Sequence, residues 1–314
     1  MLQDPEKSWA DAVRNKMGLE PGREFDELEE PRRTWAYYML DAVGRGRGVI
    51  AALKPHGWHA GIRFLDAGCA YGGYLVAASE AGAAEVVGID VDADYLKLAT
   101  ELLASYRVEG RLEIGSIDDR TLLDGICGDV GFDVVTCTDV LEHVDDPANT
   151  MAALARCLSP GGRLYVTIPN HRNPEWVTSD PHFQIAGITL LPRDPAREVA
   201  YAVLPWLPRY SVGHYHPLAW YRRRFTELGL QTWLLNPPAG THVEVAKRLR
   251  EQAIRIRDEI SPDPNVPGVL AVQIREAVRA WADRLLAEVS LDAPDPGILD
   301  EYGVQTWELL VVRG

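Results

Sequence analysis

The chain has 314 residues, of which 46% are hydrophobic and 25% are charged, a balance that predicts a folded globular protein with a substantial core. Its formal net charge is −14, so DNA or RNA would be repelled on average and we expect no nucleic-acid partner. No apolar run is as long as a membrane span, the N-terminal segment lacks the apolar stretch of a secretory signal, and the four cysteines form no C-x-x-C pair. We therefore expect reduced, mostly buried thiols, no membrane partner and a cytoplasmic location.

Residues 1–60 predict an N-terminal helical arm or lid. The first part is polar and interrupted by prolines, which indicates a short helix and an irregular segment. Residues 34–53 have a helical pattern, and Trp35, Tyr38 and Met39 form its apolar face.

From residue 61 onward, strand-like and helix-like segments alternate, which is typical of a parallel sheet covered by helices on both faces. We predict one Rossmann-like α/β domain over residues 61–314, with seven strands in a mostly parallel sheet. The predicted strands are 62–68, 85–90, 111–116, 132–139, 162–169, 230–236 and 307–313, and the predicted helices are 73–82, 92–106, 149–158 and 218–229.

Two insertions interrupt this alternation. Residues 170–216 are rich in proline, histidine and aromatic residues and have no clear period. Residues 241–300 contain two amphipathic helices, predicted at 243–260 and 269–289. Insertions of this length are usually functional, so we expect caps over a site. The inserted helices could instead pair with another subunit, and a homo-oligomer is possible.

A glycine-rich loop joins the first strand to its helix, in the stretch FLDAGCAYGGYL at 64–75. A dinucleotide-binding loop reads G-x-G-x-x-G, but here Ala70 replaces the middle glycine and would crowd a pyrophosphate. Asp66 would also repel a phosphate. Both features suit a cationic ligand without phosphate, and S-adenosylmethionine (SAM) is such a ligand. Asp90, 18 residues beyond Gly72, could accept hydrogen bonds from both ribose hydroxyls, although NAD sites also have this acid.

Five motifs then occur in order: FLDAGCAYGGYL, VVGIDVD, LEIGSIDD, FDVVTCTDVLEHVDDP and LSPGGRLYVTIPN. Together they resemble the class I SAM-dependent methyltransferases, and most of all the small-molecule branch with an L-E-H motif after strand 4. The resemblance is clear over residues 62–170 and looser near residues 230 and 307. It implies SAM as the cofactor and S-adenosylhomocysteine (SAH) as the product.

The resemblance also implies roles for individual positions. The family usually has an acid where this chain has Ser116, so Asp118 is the candidate acceptor for the adenine amino group. The implied cofactor contacts are Asp66, Gly68, Ala70 and Gly72 for the methionine part, Asp90 and Val91 for the ribose, Ser116, Ile117 and Asp118 for the adenine edge, and Thr138 and Asp139 beside the reactive methyl group.

Histidines are the candidate general bases, since methyl transfer to a hydroxyl is helped by removal of its proton. His182 and His214 lie in the first insertion, and His143 lies in the L-E-H motif, where a structural role is favoured. Tyr38, Tyr215 and His216 are candidate substrate contacts. His214 and His216, joined by His182 or Asp180, could bind a metal, but polar cap residues are the preferred interpretation and we predict no metal.

The predicted function is methyl transfer from SAM to a small polar metabolite, such as a sugar or a natural-product intermediate, with O- or N-methylation favoured over C-methylation. Three alternatives remain. An NAD-linked oxidoreductase is disfavoured by Asp66 and Ala70, and a non-catalytic scaffold by the intact Asp66, Gly68 and Asp90. A nucleic-acid methyltransferase is disfavoured by the net charge and by the absence of an N/D-P-P-Y-type motif.

Overall fold

Seven strands form one sheet at the centre of the structure, a computed structural model that describes residues 4–20 and 22–313. They are β1 (Arg63–Ala67), β2 (Glu85–Asp90), β3 (Arg111–Ile114), β4 (Phe132–Thr138), β5 (Leu158–Pro169), β6 (Leu230–Leu234) and β7 (Thr306–Arg313). The strand order is β3-β2-β1-β4-β5-β7-β6, and β7 runs antiparallel to both of its neighbours. The predicted seven-stranded, mostly parallel α/β fold is confirmed.

The helices of the described residues pack on both faces of the sheet and in the two insertions. They are α1 (Pro5–Lys16), α2 (Arg32–Leu40), α3 (Ala42–Leu53), α4 (Gly73–Glu80), α5 (Ala93–Tyr106), α6 (Arg120–Cys127), α7 (Pro147–Cys157), α8 (Pro174–Thr178), α9 (Arg193–Val203), α10 (Leu218–Glu227), α11 (His242–Glu259), α12 (Gly268–Glu288) and α13 (Pro296–Tyr302). None of them is long and apolar enough to cross a membrane.

Alternation along the strands divides the apolar side chains between two cores. In β1, Phe64 packs in the core beneath α1–α5, whereas Leu65 packs in the core beneath α6, α7 and α10. Val134 and Val135 of β4 divide in the same way. The four cysteines are buried and unpaired, as the sequence predicted.

A third apolar core lies outside the sheet and joins the two insertions. It brings Val177 and Val199 of the first insertion against Leu249, Ile274 and other residues of α11 and α12. The two amphipathic helices predicted in the second insertion are confirmed within one residue at each end. Their apolar faces are therefore covered within this chain, and pairing with another subunit stays an untested prediction.

The helical pattern over residues 34–53 corresponds to two helices, α2 and α3, which are separated at Asp41. α3 packs closely on α4, and glycines allow this contact. A Cβ on Gly46 would lie 2.8 Å from the carbonyl oxygen of Gly73, and a Cβ on Gly73 would lie 2.4 Å from the backbone of Ala42. Helical periodicity does not report such a contact between helices. The first insertion also contains α9, which the sequence did not predict.

Candidate active site

Three carboxylates lie at the carboxyl ends of three adjacent strands. Asp66 is in β1, Asp90 ends β2, and Asp139 follows β4 directly. Since β2, β1 and β4 are neighbours and parallel, these ends share one edge of the sheet. In open α/β sheets this edge binds ligands. The accumulated negative charge favours a cationic ligand there and disfavours a phosphate.

Asp66 is nearly inaccessible, with 3% of its surface exposed. Its Oδ1 accepts a hydrogen bond from Thr136 Oγ1 at 2.7 Å. Burial raises the pKa of Asp66 to about 7 and Asp90 adds to this effect, while the Thr136 hydrogen bond and the positive charge of Arg45 oppose it. A carboxyl group in this state is easily ionised by an approaching cation.

The glycine-rich loop is tied to Asp90. The backbone N–H of Ala70 donates to Asp90 Oδ2 and that of Asp92 donates to Oδ1, both at 2.8 Å. Burial raises the pKa of Asp90, and these backbone hydrogen bonds partly offset the rise. Ala70 has φ +43°, a left-handed conformation that favours glycine. The loop is therefore held in one shape against the second strand.

Two glycines of this loop are required by packing. A Cβ on Gly68 would lie 2.4 Å from Val140 Cγ2, and one on Gly72 would lie 2.8 Å from Leu103 Cδ1; both residues have positive φ. The loop therefore packs closely against α5 and against the residues after β4.

The predicted adenine contacts differ in accessibility. Val91, beside Asp90, is 69% exposed, and Ser116 donates its hydroxyl hydrogen to Asp118 Oδ1. Ile117 is buried in the core beneath α6, with 5% exposed. Asp118 accepts from Ser116 and Ile117 faces inward, and the adenine roles of these residues stay predictions.

Arg45 of α3 was not predicted from the sequence, because the local pattern does not distinguish it from Arg47 of the same helix. Its guanidinium carbon lies 3.3 Å from the centroid of the Tyr38 ring, a cation–π contact. Its Nε is buried without a hydrogen-bond partner. The positive charge also acts on Asp66 and Asp139, lowering the pKa of each against the larger effect of burial.

Asp139 lines a cavity of about 400 Å³ at the same edge of the sheet. Its Oδ1 accepts from Thr167 Oγ1 at 2.9 Å and its Oδ2 accepts from the Tyr38 hydroxyl at 3.0 Å. Burial and the nearby Glu142 raise the pKa of Asp139, although both hydrogen bonds oppose the rise. Asp139 itself has φ +54°, a backbone strain that clusters at functional sites. The other lining residues include Arg45, Tyr74, Tyr165 and Glu308. Thr138 ends β4 and acts on Tyr74, where it and Arg45 oppose the rise in pKa that burial causes.

A second group, which we call the Glu142 cluster, consists of Glu142, His143 and His182. Glu142 is fully buried, and neither of its carboxylate oxygens has a hydrogen-bond partner. Its Oε1 lies 3.8 Å from Nε2 of His143 and 3.8 Å from Nε2 of His182. One ligand atom from each residue lies within 4.8 Å of the others, a donor set that suits a divalent transition metal. The predicted absence of a metal remains untested.

Both ring nitrogens of His182 lie close to polar side chains, with Glu142 near Nε2 and with Asp180 and Tyr215 near Nδ1. Burial lowers the pKa of His182, but the carboxylates of Asp180 and Glu142, each within 4 Å of a ring nitrogen, outweigh it and raise the pKa to about 9. The Tyr215 hydroxyl lies 3.2 Å from its Nδ1. His182 is therefore an imidazolium at neutral pH, a state that donates hydrogen bonds and does not accept a proton.

The other candidate histidines lie in different surroundings. His143 Nδ1 lies 3.0 Å from the carbonyl oxygen of Ser211, a tie between the L-E-H motif and the first insertion. His214 and Tyr215 line a second cavity. His216 stacks on Trp220, with ring centroids 3.9 Å apart, and lies outside the lining of both cavities. Sequence proximity of His214 and His216 thus does not bring them to one site.

Residues 33–235 match the family model of a methyltransferase domain, which spans more than half of the chain. The chain belongs to this methyltransferase family. The sequence-based prediction of a class I SAM-dependent methyltransferase, an enzyme that uses SAM as its cofactor, is confirmed.

Curated relatives of this methyltransferase share its central part. The ubiquinone biosynthesis O-methyltransferase of Methylococcus capsulatus is 36% identical over 124 residues, which are 38% of this chain and 48% of the relative. The one of Aromatoleum aromaticum is 32% identical over 175 residues, 54% of this chain and 66% of the relative. The chain spans about half the length of most of the curated relatives it matches.

Solved methyltransferase structures are similar at a more distant level. The magnesium protoporphyrin IX methyltransferase of Synechocystis, with bound SAH, is 14% identical with a TM-score of 0.47, covering 97% of this chain and 94% of that one. The S-adenosylmethionine-dependent methyltransferase of Mesorhizobium loti is 18% identical with a TM-score of 0.47, covering 85% of this chain and 96% of that one.

Proposed function

We propose that this methyltransferase transfers a methyl group from SAM to an oxygen atom of a small molecule. The observation that carries the proposal is the set of three carboxylates, Asp66, Asp90 and Asp139, on adjacent strand ends around a glycine-rich loop. This arrangement fits a cationic nucleoside and repels a phosphate. The curated name O-methyltransferase, borne by the relatives, supports oxygen over nitrogen as the acceptor.

In this proposal the loop and the strand ends bind different parts of SAM. Asp66, Gly68, Ala70 and Gly72 surround the methionine part, and ionised Asp66 offsets its ammonium charge. Asp90 accepts from the ribose hydroxyls with the lone pairs that the backbone N–H groups leave free, and Val91 packs nearby. Ser116 and Asp118 contact the adenine edge, with Ile117 as buried support.

The acceptor oxygen would enter the cavity beside Asp139 and Tyr38. SAM supplies a methyl group already activated by the sulfonium, so the protein mainly holds the two reacting atoms in line. The bond from methyl carbon to acceptor oxygen forms as the carbon–sulfur bond breaks, and the acceptor proton passes to a base. Asp139 is the proposed base, since it lines the cavity and its raised pKa brings it closer to neutrality.

The Glu142 cluster supports a second role for the predicted histidines. As an imidazolium, His182 would stabilise negative charge on the acceptor, whereas His143 and His214 would position it. A specific observation favours a metal-assisted variant, because the carboxylate of Glu142 is buried without a donor between two imidazoles. In that variant Glu142, His143 and His182 would hold the cation, and the metal would polarise the acceptor oxygen.

The substrate class remains a proposal. One candidate class is a small polar metabolite, such as a sugar or a natural-product intermediate. The relatives' names indicate a second candidate class, a biosynthetic intermediate. The chain spans only about half the length of those relatives, so we do not assign their substrate to it.

Methyl transfer from labelled SAM to a panel of phenols, sugars and amines tests the proposal. We expect label in oxygen acceptors, with SAH formed in equal amount. Parallel reactions with chelator, and with zinc or magnesium added after chelation, distinguish the metal-free mechanism from the metal-assisted one. Activity that is lost with chelator and restored by the metal supports the metal-assisted mechanism. Calorimetry that detects no binding of SAM or SAH, together with no labelled product, would overturn the proposed function.

A further inference from the structure

A second cavity, of about 410 Å³, lies between the first insertion and α12. Three of its lining residues are arginines, and none is an acid, although the chain carries 46 acids against 32 bases. We call it the arginine cavity. Its lining residues are His171, Arg172, Ile188, Thr189, Leu190, Leu191, Pro192, Arg193, Tyr210, Val212, Gly213, His214, Tyr215, Ala277, Ala280, Trp281, Arg284 and Tyr302.

The three positive charges are only weakly neutralised. Arg172 Nη1 is 3.7 Å from Glu301 Oε2, and both oxygens of Glu301 already accept backbone N–H groups at the start of α10. Arg193 meets Asp145 at 3.2 Å, but that carboxylate is 89% exposed, so the pair contributes little. Within the described chain, Arg284 has no carboxylate within salt-bridge distance.

Arg172 and Arg284 line the cavity together with Tyr302. Both guanidinium charges lower the pKa of the Tyr302 hydroxyl, against the larger effects of burial and of the Glu288 carboxylate, to which that hydroxyl donates at 2.6 Å. An anion in the cavity would meet guanidinium groups, which bind carboxylate and phosphate oxygens as planar donors.

His171 provides an independent sign of a ligand. Its Nδ1 is buried and has no hydrogen-bond partner, a costly state for a polar atom. Burial lowers the pKa of His171 to about 3, and Arg172 adds to the effect, so the ring is neutral. The ring stacks on Tyr215 with centroids 5.4 Å apart and an interplanar angle of 14°. A ligand atom in the cavity could satisfy this nitrogen.

The remaining wall is mostly apolar and aromatic. Ile188, Leu190 and Val212 contribute aliphatic surface, while Tyr210 and Trp281 contribute rings. Such a wall, with a few polar groups at one side, is typical of sites for small organic molecules. The cavity thus combines a place for an anionic group with a place for an apolar body.

Tyr215 connects the arginine cavity with the Glu142 cluster. It lines the cavity, and its hydroxyl lies 3.2 Å from Nδ1 of His182 in the Glu142 cluster. Gly213, another lining residue, donates its N–H to the carbonyl oxygen of Glu142. A molecule bound in the cavity would therefore lie next to the cluster.

We propose that the arginine cavity binds the carboxylate or phosphate group of the methyl acceptor, so that the substrate is an organic anion with an apolar or aromatic body. That the bound anion is the methyl acceptor rests on the proposed function, but the binding itself does not require methyl transfer.

Fluorine NMR with three probes tests the cavity on the full chain, with and without SAH. The probes are 4-fluorobenzoate, 4-fluorophenyl phosphate and the neutral 4-fluorobenzamide. We expect either or both anions to bind at least about tenfold more tightly than the amide, because each charged contact adds a charge-assisted hydrogen bond. The anion that binds more tightly shows whether the cavity prefers a carboxylate or a phosphate group.

Arg284→Gln should weaken binding of that anion about tenfold and leave the amide unchanged. Arg279→Gln is the matched control, since Arg279 lies exposed on the same helix outside the cavity lining. Thermal unfolding of both variants checks the fold. Equal binding of anions and amide, no anion binding at millimolar concentration, or equal loss in both variants would overturn the inference. Failure of methyl transfer with anion binding retained would sink the proposed function and leave the anion site standing.

Discussion

Tyr38 and Asp139 meet at 3.0 Å across 101 residues of sequence, with the Tyr38 hydroxyl as donor. The contact joins α2, which lies before the sheet, to the residue after β4. One turn before Tyr38, the indole N–H of Trp35 donates to the carbonyl oxygen of His182 at 3.1 Å. α2 thus contacts both the proposed base and the Glu142 cluster, and this position suits a cover over the acceptor.

Tyr38→Phe should lower turnover about tenfold at neutral pH. The Tyr38 hydrogen bond opposes the rise in the pKa of Asp139, so its removal should raise that pKa further. A base with a higher pKa is protonated at higher pH, and the acid limb of the rate profile should therefore move to higher pH. A pH series of kcat/KM measures the shift.

Tyr37→Phe is the matched control, because Tyr37 is the neighbouring phenol and hydrogen bonds with the exposed Asp26 instead. Its pH profile should be that of the wild type. If Tyr38→Phe also leaves the acid limb in place, Asp139 is not the base.

Asp66→Asn should weaken SAM binding and remove most of its pH dependence between about pH 5.5 and 7.5. The pKa of Asp66 in the free protein is raised to about 7, and a bound cation would lower it, so binding releases a proton below pH 7. Wild-type affinity should accordingly fall as the pH falls through 7. Calorimetry at several pH values checks this, and Asp94→Asn, at the exposed start of α5, is the control.

The same substitution should stabilise the fold. Because the folded pKa of Asp66 lies above its unfolded value, the wild type loses stability as the pH rises from about 4 to about 7. Asp66→Asn avoids that loss and should unfold at a higher temperature at about pH 7.5. A variant that is less stable and still binds SAM with the wild-type pH dependence would contradict the role assigned to Asp66.

The central sheet and the positions of Asp66 and Asp90 at one edge of it were predictable because they depend on local pattern. The strands that carry Asp66 and Asp90 are short apolar runs beside a glycine-rich loop, and the order of motifs places their ends together. Arg45, Glu142 and Arg284 were not found, since each is one charged residue in a helix or turn rich in similar ones. Their importance arises from contacts over long sequence separations, such as Trp35 with His182, which no local period encodes.

Asp90→Ala should weaken SAM binding about 100-fold, since two charge-assisted hydrogen bonds to the ribose would be lost. The structure adds a second cause, because Asp90 also holds the N–H of Ala70 and thereby the loop. Ala70→Gly is the control, because it leaves the backbone N–H that donates to Asp90 in place. It keeps Asp90, relieves the left-handed φ of +43°, and should bind SAM normally with unchanged or higher stability. Calorimetry showing unchanged affinity in Asp90→Ala would remove Asp90 from the cofactor site.

His182→Ala and His214→Ala should lower turnover at least tenfold while SAM affinity stays within about twofold, since both lie on the acceptor side of the site. His182 contacts Tyr215 and Glu142, and His214 lines the arginine cavity. His216→Ala is the matched control, because His216 stacks on Trp220 away from both cavities and its loss should leave turnover unchanged. Steady-state kinetics with SAH calorimetry checks all three variants. Equal turnover in all three would return His182 and His214 to structural roles, whereas a loss confined to His216→Ala would mean that the acceptor enters beside Trp220 instead.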